Sequence, residues 1–267
     1  MKRDPKMKIC YDRVVPDELN AEHLAIHKKR TSALLKKTGA KTARQAFNGL
    51  DPKVTIPPAH MAVINLKTWG AGFTLKCRFL DGSDVQKNKV MAKAKIWEQY
   101  ANIHISFVTT KDEQVRISFV ADSGSWSAVG RDALITKYFP KNEATMNFGW
   151  LRNNTPDAEY ERVVVHEFGH ALGCIHEHQS PKESLKWNTE AVYAQFSGPP
   201  NNWDKATIDS NILQKYSPNG ISETIFDRKS IMLYQFDAKL FLDHKATPEN
   251  IHLSAKDKAF IATMYPF

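Results

Sequence analysis

One motif constrains this chain more than any other feature. Residues 166–176 read HEFGHALGCIH, which is the pattern H-E-x-x-H-x-x-G-x-x-H. The surrounding residues predict a helix over 159–172, with Thr155 as its N-cap and Pro156 at the first helical position. On such a helix His166 and His170 lie four residues apart on one face, so their imidazoles can bind one zinc ion.

The residues that follow predict an open catalytic site. Gly173 accepts the left-handed backbone conformation that ends many helices, so the chain can turn there and return His176 as a third ligand. Three protein ligands leave a fourth position for water, which is typical of catalytic rather than structural zinc. Glu167 lies beside the ligands and can take a proton from the metal-bound water.

Cys10 and His178 could also lie near the zinc ion, and each has two interpretations. The chain has three cysteines, an odd and low number that does not indicate a disulfide framework. Cys10 has two interpretations: a free or packed thiol, or a thiolate that occupies the open zinc position and silences the enzyme. His178 lies two residues beyond the third ligand, and we interpret it as a surface residue or one that packs behind the ligands.

Charge and hydropathy exclude several classes of protein. No run of 18 apolar residues predicts a transmembrane helix. The charged N-terminus is not followed by an apolar signal region, so we expect a cytoplasmic protein, export by a non-classical route, or a signal outside this sequence. Residues 1–55 carry 13 Lys and Arg against 6 Asp and Glu, which favours either an acidic partner or a solvated helix face. No zinc-finger or RNA-binding signature is present, so no nucleic acid is expected.

The order of elements predicts an α+β fold. Residues 1–60 form a basic N-terminal extension with a helix over 17–37, and residues 61–267 form the catalytic domain, with lobes 61–173 and 174–267. A mixed sheet with two packed helices follows from strands at 73–80, 103–108, 115–120 and 145–150 and helices at 87–100 and 159–172. Residues 123–128 read as a loop of small residues, and residues 177–229 as short helices and loops. Ser254 begins a C-terminal helix.

A second motif extends the first. Residues 226–234 read FDRKSIMLY, and Met232 lies 56 residues after His176. This segment resembles the Met-turn of the metzincin zinc peptidases, which accompanies the long zinc motif. The resemblance is closest to the astacin-like metzincins, because Glu177 follows the third histidine, Tyr234 follows the methionine by two residues, and Asp227 precedes Ser230 by three.

The resemblance implies a metzincin-like, two-lobed zincin fold with a twisted mixed sheet, an active-site helix and an irregular C-terminal lobe that ends in a helix. It implies that zinc is bound by His166, His170 and His176, and that Glu167 is the general base. Met232 would form an apolar floor under the metal. Tyr234 would be a movable ligand or a hydrogen-bond donor to the oxyanion.

The same resemblance makes expectations about the substrate. An extended peptide or protein substrate would pair with the edge of strand 145–150. Gln235 and Phe236 would begin the pocket for the residue after the scissile bond. Leu233 departs from the family, which usually has histidine there. In the family, the glutamate after the third histidine contacts the freed N-terminus, but here about 60 residues precede the catalytic part, so propeptide removal is not assumed.

The sequence therefore predicts a zinc metalloendopeptidase. One alternative is a zinc hydrolase of a non-protein amide, such as a peptidoglycan amide, since three histidines do not specify the substrate. The other is a non-catalytic binding or toxin-like module with a structural zinc, which would not need Glu167. The oligomeric state does not follow from the sequence.

Overall fold

The computed structural model describes residues 10–13, 15, 67–121, 123–181, 183–199, 201–215 and 226–267. The predicted helix over 17–37, the domain boundary near residue 60 and the basic residues offered to an acidic partner lie outside these ranges and stay predictions. The strands are β1 Cys10–Arg13, β2 Phe73–Phe79, β3 Ile103–Phe107, β4 Val115–Ser118, β5 Ser125–Ala128 and β6 Met146–Phe148. The helices are α1 Asp84–Ala94, α2 Asp157–Ala171, α3 Thr189–Ser197, α4 Lys205–Ile208 and α5 Ala255–Met264.

The strands form one mixed sheet in the order β1-β5-β6-β4-β2-β3. All neighbouring strands are parallel except β5 and β6, which are antiparallel. The predicted mixed sheet is therefore confirmed. Among the helices of the described residues, none is long and apolar enough to span a bilayer.

The interpretation of residues 123–128 as a loop is wrong, because Ser125–Ala128 is strand β5. The strand alternates polar and apolar residues, Ser125-Trp126-Ser127-Ala128, but it has only four residues and three of them are small, so the pattern is a weak signal for a strand. Its conformation is set by pairing with neighbours on both sides rather than by intrinsic preference.

Because β5 is a strand, β6 does not lie at the edge of the sheet as the sequence predicted. β6 pairs with β4 on one side and with β5 on the other, so it is an interior strand. The expectation that residues 145–150 offer a free edge to substrate is therefore wrong. The outer edge on this side belongs to β5, and the N-terminal strand β1 pairs with it in parallel, with Cys10 opposite Ser125.

Helices α1 and α2 pack on the sheet. α1 begins before the predicted residue 87, because Ser83 and Gln86 form a capping box at its N-terminus. The helix changes to a 3-10 turn at Lys95–Gln99. Within that turn the indole of Trp97 donates a 2.9 Å hydrogen bond to the carbonyl of Val165, which fixes α1 against the motif helix.

The two ends of the motif helix α2 are capped in different ways. Its N-cap is Pro156, whereas the hydroxyl of Thr155 accepts a bond from the N–H of Arg152, so the prediction of Thr155 as N-cap is wrong. At the other end, Gly173 lies at φ +100°. The N–H groups of Gly173 and Cys174 bond the carbonyls of His170 and Gly169 at 2.8 and 2.9 Å, which is a Schellman motif and confirms the predicted stop.

The C-terminal part of the chain supports the motif helix from below. The predicted capping box at Ser254 is confirmed, with Asp257 as its partner at the start of α5. The carboxylate of Asp257 also accepts bonds from the hydroxyl of Ser230 at 2.6 Å and the N–H of Ile231 at 2.8 Å. The start of the last helix therefore fixes the segment that carries Met232.

We predict that Gly173→Ala destabilises the protein by about 1–2 kcal/mol, because an L-residue with a side chain is strained at positive φ. No steric clash adds to this cost, since the nearest atoms to an added Cβ lie at 3.6 Å. The free energy of unfolding in urea measures the effect.

The matched control is Gly198→Ala. Gly198 lies at φ −89°, and its added Cβ meets nothing closer than 3.8 Å. This variant should be neutral or slightly stabilising. Equal losses in the two variants would show that the left-handed turn at Gly173 is not what α2 requires.

Candidate metal centre and active site

Helix α2 and the Schellman motif at its end bring three histidines together. The Nε2 atoms of His166 and His170 are 3.1 Å apart, and that of His176 lies 3.3 and 3.0 Å from them. All three side chains are buried. Their nitrogens form a group that can hold a metal ion, as the sequence predicted.

This group fits zinc. Zinc–nitrogen bonds are about 2.0–2.1 Å long, so ligands at tetrahedral angles lie about 3.3 Å from one another. The Nδ1 atoms of His166 and His170 donate to the carbonyls of Ile231 at 2.7 Å and Cys174 at 2.9 Å, which leaves the Nε2 lone pairs for a metal. Burial, and then the neighbouring His170, holds the pKa of His166 and His176 well below the usual value, which favours the neutral form that binds metal.

Glu167 and Cys10 meet beside the histidines. Glu167 is fully buried on the same helical turn as His166. A nitrogen of His166, a carboxylate oxygen of Glu167 and the sulfur of Cys10 lie within 4.8 Å of one another. Burial first, and the charge of Glu167 second, raises the pKa of the Cys10 thiol. The structure thus places a thiol of the N-terminal strand beside one predicted ligand and the predicted base.

Tyr234 and Met232 line the site from the lower lobe. The hydroxyl of Tyr234 donates to the backbone carbonyl of Cys10, and its ring centroid lies 4.3 Å from that of His176. Met232 is buried beneath α2, where a Cβ on Gly169 would meet its sulfur at 2.5 Å. The expected apolar floor is present, and a glycine in the motif makes room for it.

His178 is not on the surface. Only 1% of it is exposed, and its ring centroid lies 5.1 Å from His176 and 4.9 Å from Tyr234. Its Nε2 is 3.1 Å from the carbonyl of Asn211. The surface interpretation is therefore wrong, and His178 packs behind a ligand instead.

Glu177 serves the Met232 segment. Its carboxylate accepts a 2.6 Å bond from the N–H of Asp227, and its own N–H donates to the carbonyl of Met232 at 3.0 Å. Burial raises the pKa of Glu177 to about 7. Glu177 thus bonds to both Asp227 and Met232 and fixes the segment between them next to the histidines.

Sequence reasoning raised Cys10 as a possible occupant of the site but missed strand β5 and its pairing with the N-terminal strand. Cys10 and Val15 come from residues distant in sequence, and Val15 packs with Trp126 and Ala128 of β5. The only prior signal was the presence of a cysteine in the N-terminal segment. The short alternation over Ser125–Ala128 did not indicate which other segment would pair with it.

A mixed sheet that carries the motif helix and a buried three-histidine cluster at its end are the arrangement expected of a zinc-dependent peptidase. A model of the Astacin peptidase family matches residues 63–248. Because the match covers most of the chain, the protein belongs to the astacin family. A comparison with curated proteins gave no match.

Solved structures agree with this assignment. A structure of myroilysin superposes with a TM-score of 0.73 at 40% identity and covers 77% of this chain and 98% of the other. A crystal structure of myroilysin gives a TM-score of 0.60 at 37% identity, with coverage of 82% and 97%. The two-lobed fold and the zinc cofactor expected from the sequence are thereby confirmed.

We predict that a strong chelator lowers the melting temperature of the purified protein and that zinc restores it. A ligand that binds only the folded state stabilises it by mass action. Magnesium is the control, because imidazole nitrogens suit zinc and not magnesium. Recovery with magnesium, or no change with the chelator, would contradict a zinc site made of histidines.

Proposed function

We propose that this chain acts as a metzincin endopeptidase in which His166, His170 and His176 hold zinc and Glu167 is the general base. One observation carries the proposal: the three Nε2 atoms converge within 3.3 Å, and a fully buried carboxylate lies one residue from the first of them. A structural zinc site needs no base at this position, which speaks against a non-catalytic module.

The reaction is the addition of water to a peptide bond. Bound zinc supplies a Lewis acid that polarises the scissile carbonyl and acidifies water. Glu167 accepts a proton from the attacking water as its oxygen bonds to the carbonyl carbon. The same carboxyl then gives that proton to the amine nitrogen as the carbon–nitrogen bond breaks, so the base is regenerated.

Tyr234 is suited to stabilise the developing charge. Its hydroxyl already donates to a peptide carbonyl, that of Cys10, next to the histidine cluster. We assign it the same role toward the scissile carbonyl of a substrate, where a hydrogen bond strengthens as the oxygen becomes negative. The contact with Cys10 supports donation to a carbonyl rather than only ligation of the metal.

The cleft suits an extended peptide. The edge of β5 bonds a strand of this same chain over four residues, from Cys10 opposite Ser125 to Arg13 opposite Ala128. A peptide or protein substrate can use the same backbone groups by strand addition. No comparable feature of the described residues favours a non-protein amide. The predicted pocket role of Gln235 and Phe236 stays a prediction.

The N-terminal strand holds the site closed while it remains attached to the chain. It occupies the substrate edge of β5, places its carbonyl on Tyr234 and brings its thiol to His166 and Glu167. A thiolate is a strong zinc ligand and would fill the position that water needs. Of the two interpretations of Cys10, these contacts support the silencing one, and removal of the strand would activate the enzyme.

We predict that Glu167→Gln keeps zinc bound but lowers the rate of casein cleavage by about 10²–10⁴-fold, because the amide does not accept the proton. Activity is compared after the N-terminal segment has been removed. Glu190→Gln, at an exposed position on α3, is the control and should cleave at the normal rate. Normal cleavage by Glu167→Gln would contradict the mechanism.

We predict that Cys10→Ala raises the activity of the uncleaved chain at least about tenfold above the wild type, because loss of the thiol opens the coordination position and removes one of the contacts that hold β1 on β5, so substrate displaces the strand more readily. Cleavage of a quenched peptide measures the rate, and mass spectrometry shows that the chain is intact.

Cys77→Ala is the control for losing a cysteine. Cys77 is fully buried in the sheet core, so this variant should lose stability without gaining activity. If Cys10→Ala is no more active than the wild-type chain, Cys10 is a packed thiol and not an inhibitor.

A further inference from the structure

We infer that Gln179 is a positioning residue that fixes the tautomer and orientation of the third ligand, His176. The inference deepens the proposed function and rests on zinc ligation by His176. Gln179 is 4% exposed and closes the 3-10 turn Glu177–Gln179, where its N–H bonds the carbonyl of His176 at 3.1 Å. Its side chain therefore stays on the side of the ligand that faces away from the metal.

Two carbonyls determine which way the amide of Gln179 points. Its Nε2 donates to the carbonyl of Ser210 at 2.7 Å and to that of Gln214 at 3.1 Å. Both protons of the amide nitrogen are thereby used, and a flipped amide would set its oxygen against two carbonyl oxygens. The Oε1 atom must face the other way, toward Nδ1 of His176 at 3.4 Å.

An acceptor at this position sets the tautomer of the ring. Since Oε1 can only accept, Nδ1 of His176 carries the proton, and the lone pair lies on Nε2, where the other two ligands converge. His166 and His170 are oriented by main-chain carbonyls instead. His176 is oriented by side chains, since the hydroxyl of Tyr234 also lies 3.5 Å from its Nδ1. That hydroxyl donates its proton to the carbonyl of Cys10, so toward Nδ1 it too can only accept, and Gln179 is the closer acceptor that a substitution can remove without touching Tyr234.

The same contacts tie the metal ligand to a remote turn. Ser210 lies in a π-helical turn, Asp209–Leu213, and the neighbouring His178 reaches the carbonyl of Asn211 in that turn. Two consecutive side chains after the third ligand therefore hold one turn of the lower lobe. Turns of this kind are frequent at functional sites.

The test compares Gln179→Leu with Gln179→Glu in the full-length chain, with the zinc dissociation constant measured by chelator competition. Leucine removes the acceptor and should weaken zinc binding by about 10–100-fold. Glutamate keeps an acceptor for Nδ1 of His176 but sets its second oxygen against the carbonyls of Ser210 and Gln214, so this variant should lose stability and still bind zinc more tightly than the leucine variant. Melting temperatures are recorded for both.

If Gln179 only supported the turn, Gln179→Glu would weaken zinc binding more than Gln179→Leu does. The reason is that the carboxylate of Gln179→Glu would face the carbonyls of Ser210 and Gln214. Tyr193→Phe is the matched control: it removes a bond to Asp209 and loosens the same turn, but leaves Gln179 in place. It should bind zinc normally.

Three outcomes would overturn the inference: wild-type zinc affinity in Gln179→Leu, equal weakening in the leucine and glutamate variants, or weakening in Tyr193→Phe comparable to that in Gln179→Leu. A wild-type chain that does not hold zinc through His176 would instead overturn the proposed function. The two failures are therefore distinguishable.

Discussion

Three buried imidazole nitrogens within 3.3 Å of one another are the constraint on which the rest of the structure depends. A shared cation makes such an approach favourable, because the Nδ1 atoms of His166 and His170 donate to carbonyls and leave the lone pairs on the converging Nε2 atoms. Each ring is held from behind, by the carbonyls of Ile231 and Cys174 and by the amide of Gln179. These carbonyls and this amide therefore orient the three metal ligands and are not metal ligands themselves.

The supports of the site come from both ends of the chain. Asp257, at the start of the last helix, accepts bonds from Ser230 and Ile231 and so fixes the segment that floors the site with Met232. Cys10, near the beginning, contacts Tyr234 and Glu167 from the opposite side. In the function we propose, substrate pairs with β5 in place of that N-terminal strand, so the strand must leave β5 before substrate can bind.

The local features were predictable and the long-range ones were not. The ligands, Glu167 and the stop at Gly173 follow from spacing within one helix and its end, where few residues decide the geometry. Strand β5 was missed because tertiary pairing, and not its own residues, holds Ser125–Ala128 extended. The place of Cys10 depends on the same pairing. The burial of His178 depends on Tyr234 and Phe236, which are far away in sequence.

X-ray absorption at the zinc edge of the intact chain tests the central claim most directly, since it reports the atoms bound to the metal. The account predicts three imidazole nitrogens at about 2.0–2.1 Å and one sulfur at about 2.3 Å. Removal of the N-terminal strand should replace the sulfur by an oxygen and leave the nitrogens unchanged. A shell without sulfur in the intact chain, or with fewer than three imidazoles in either form, would contradict it.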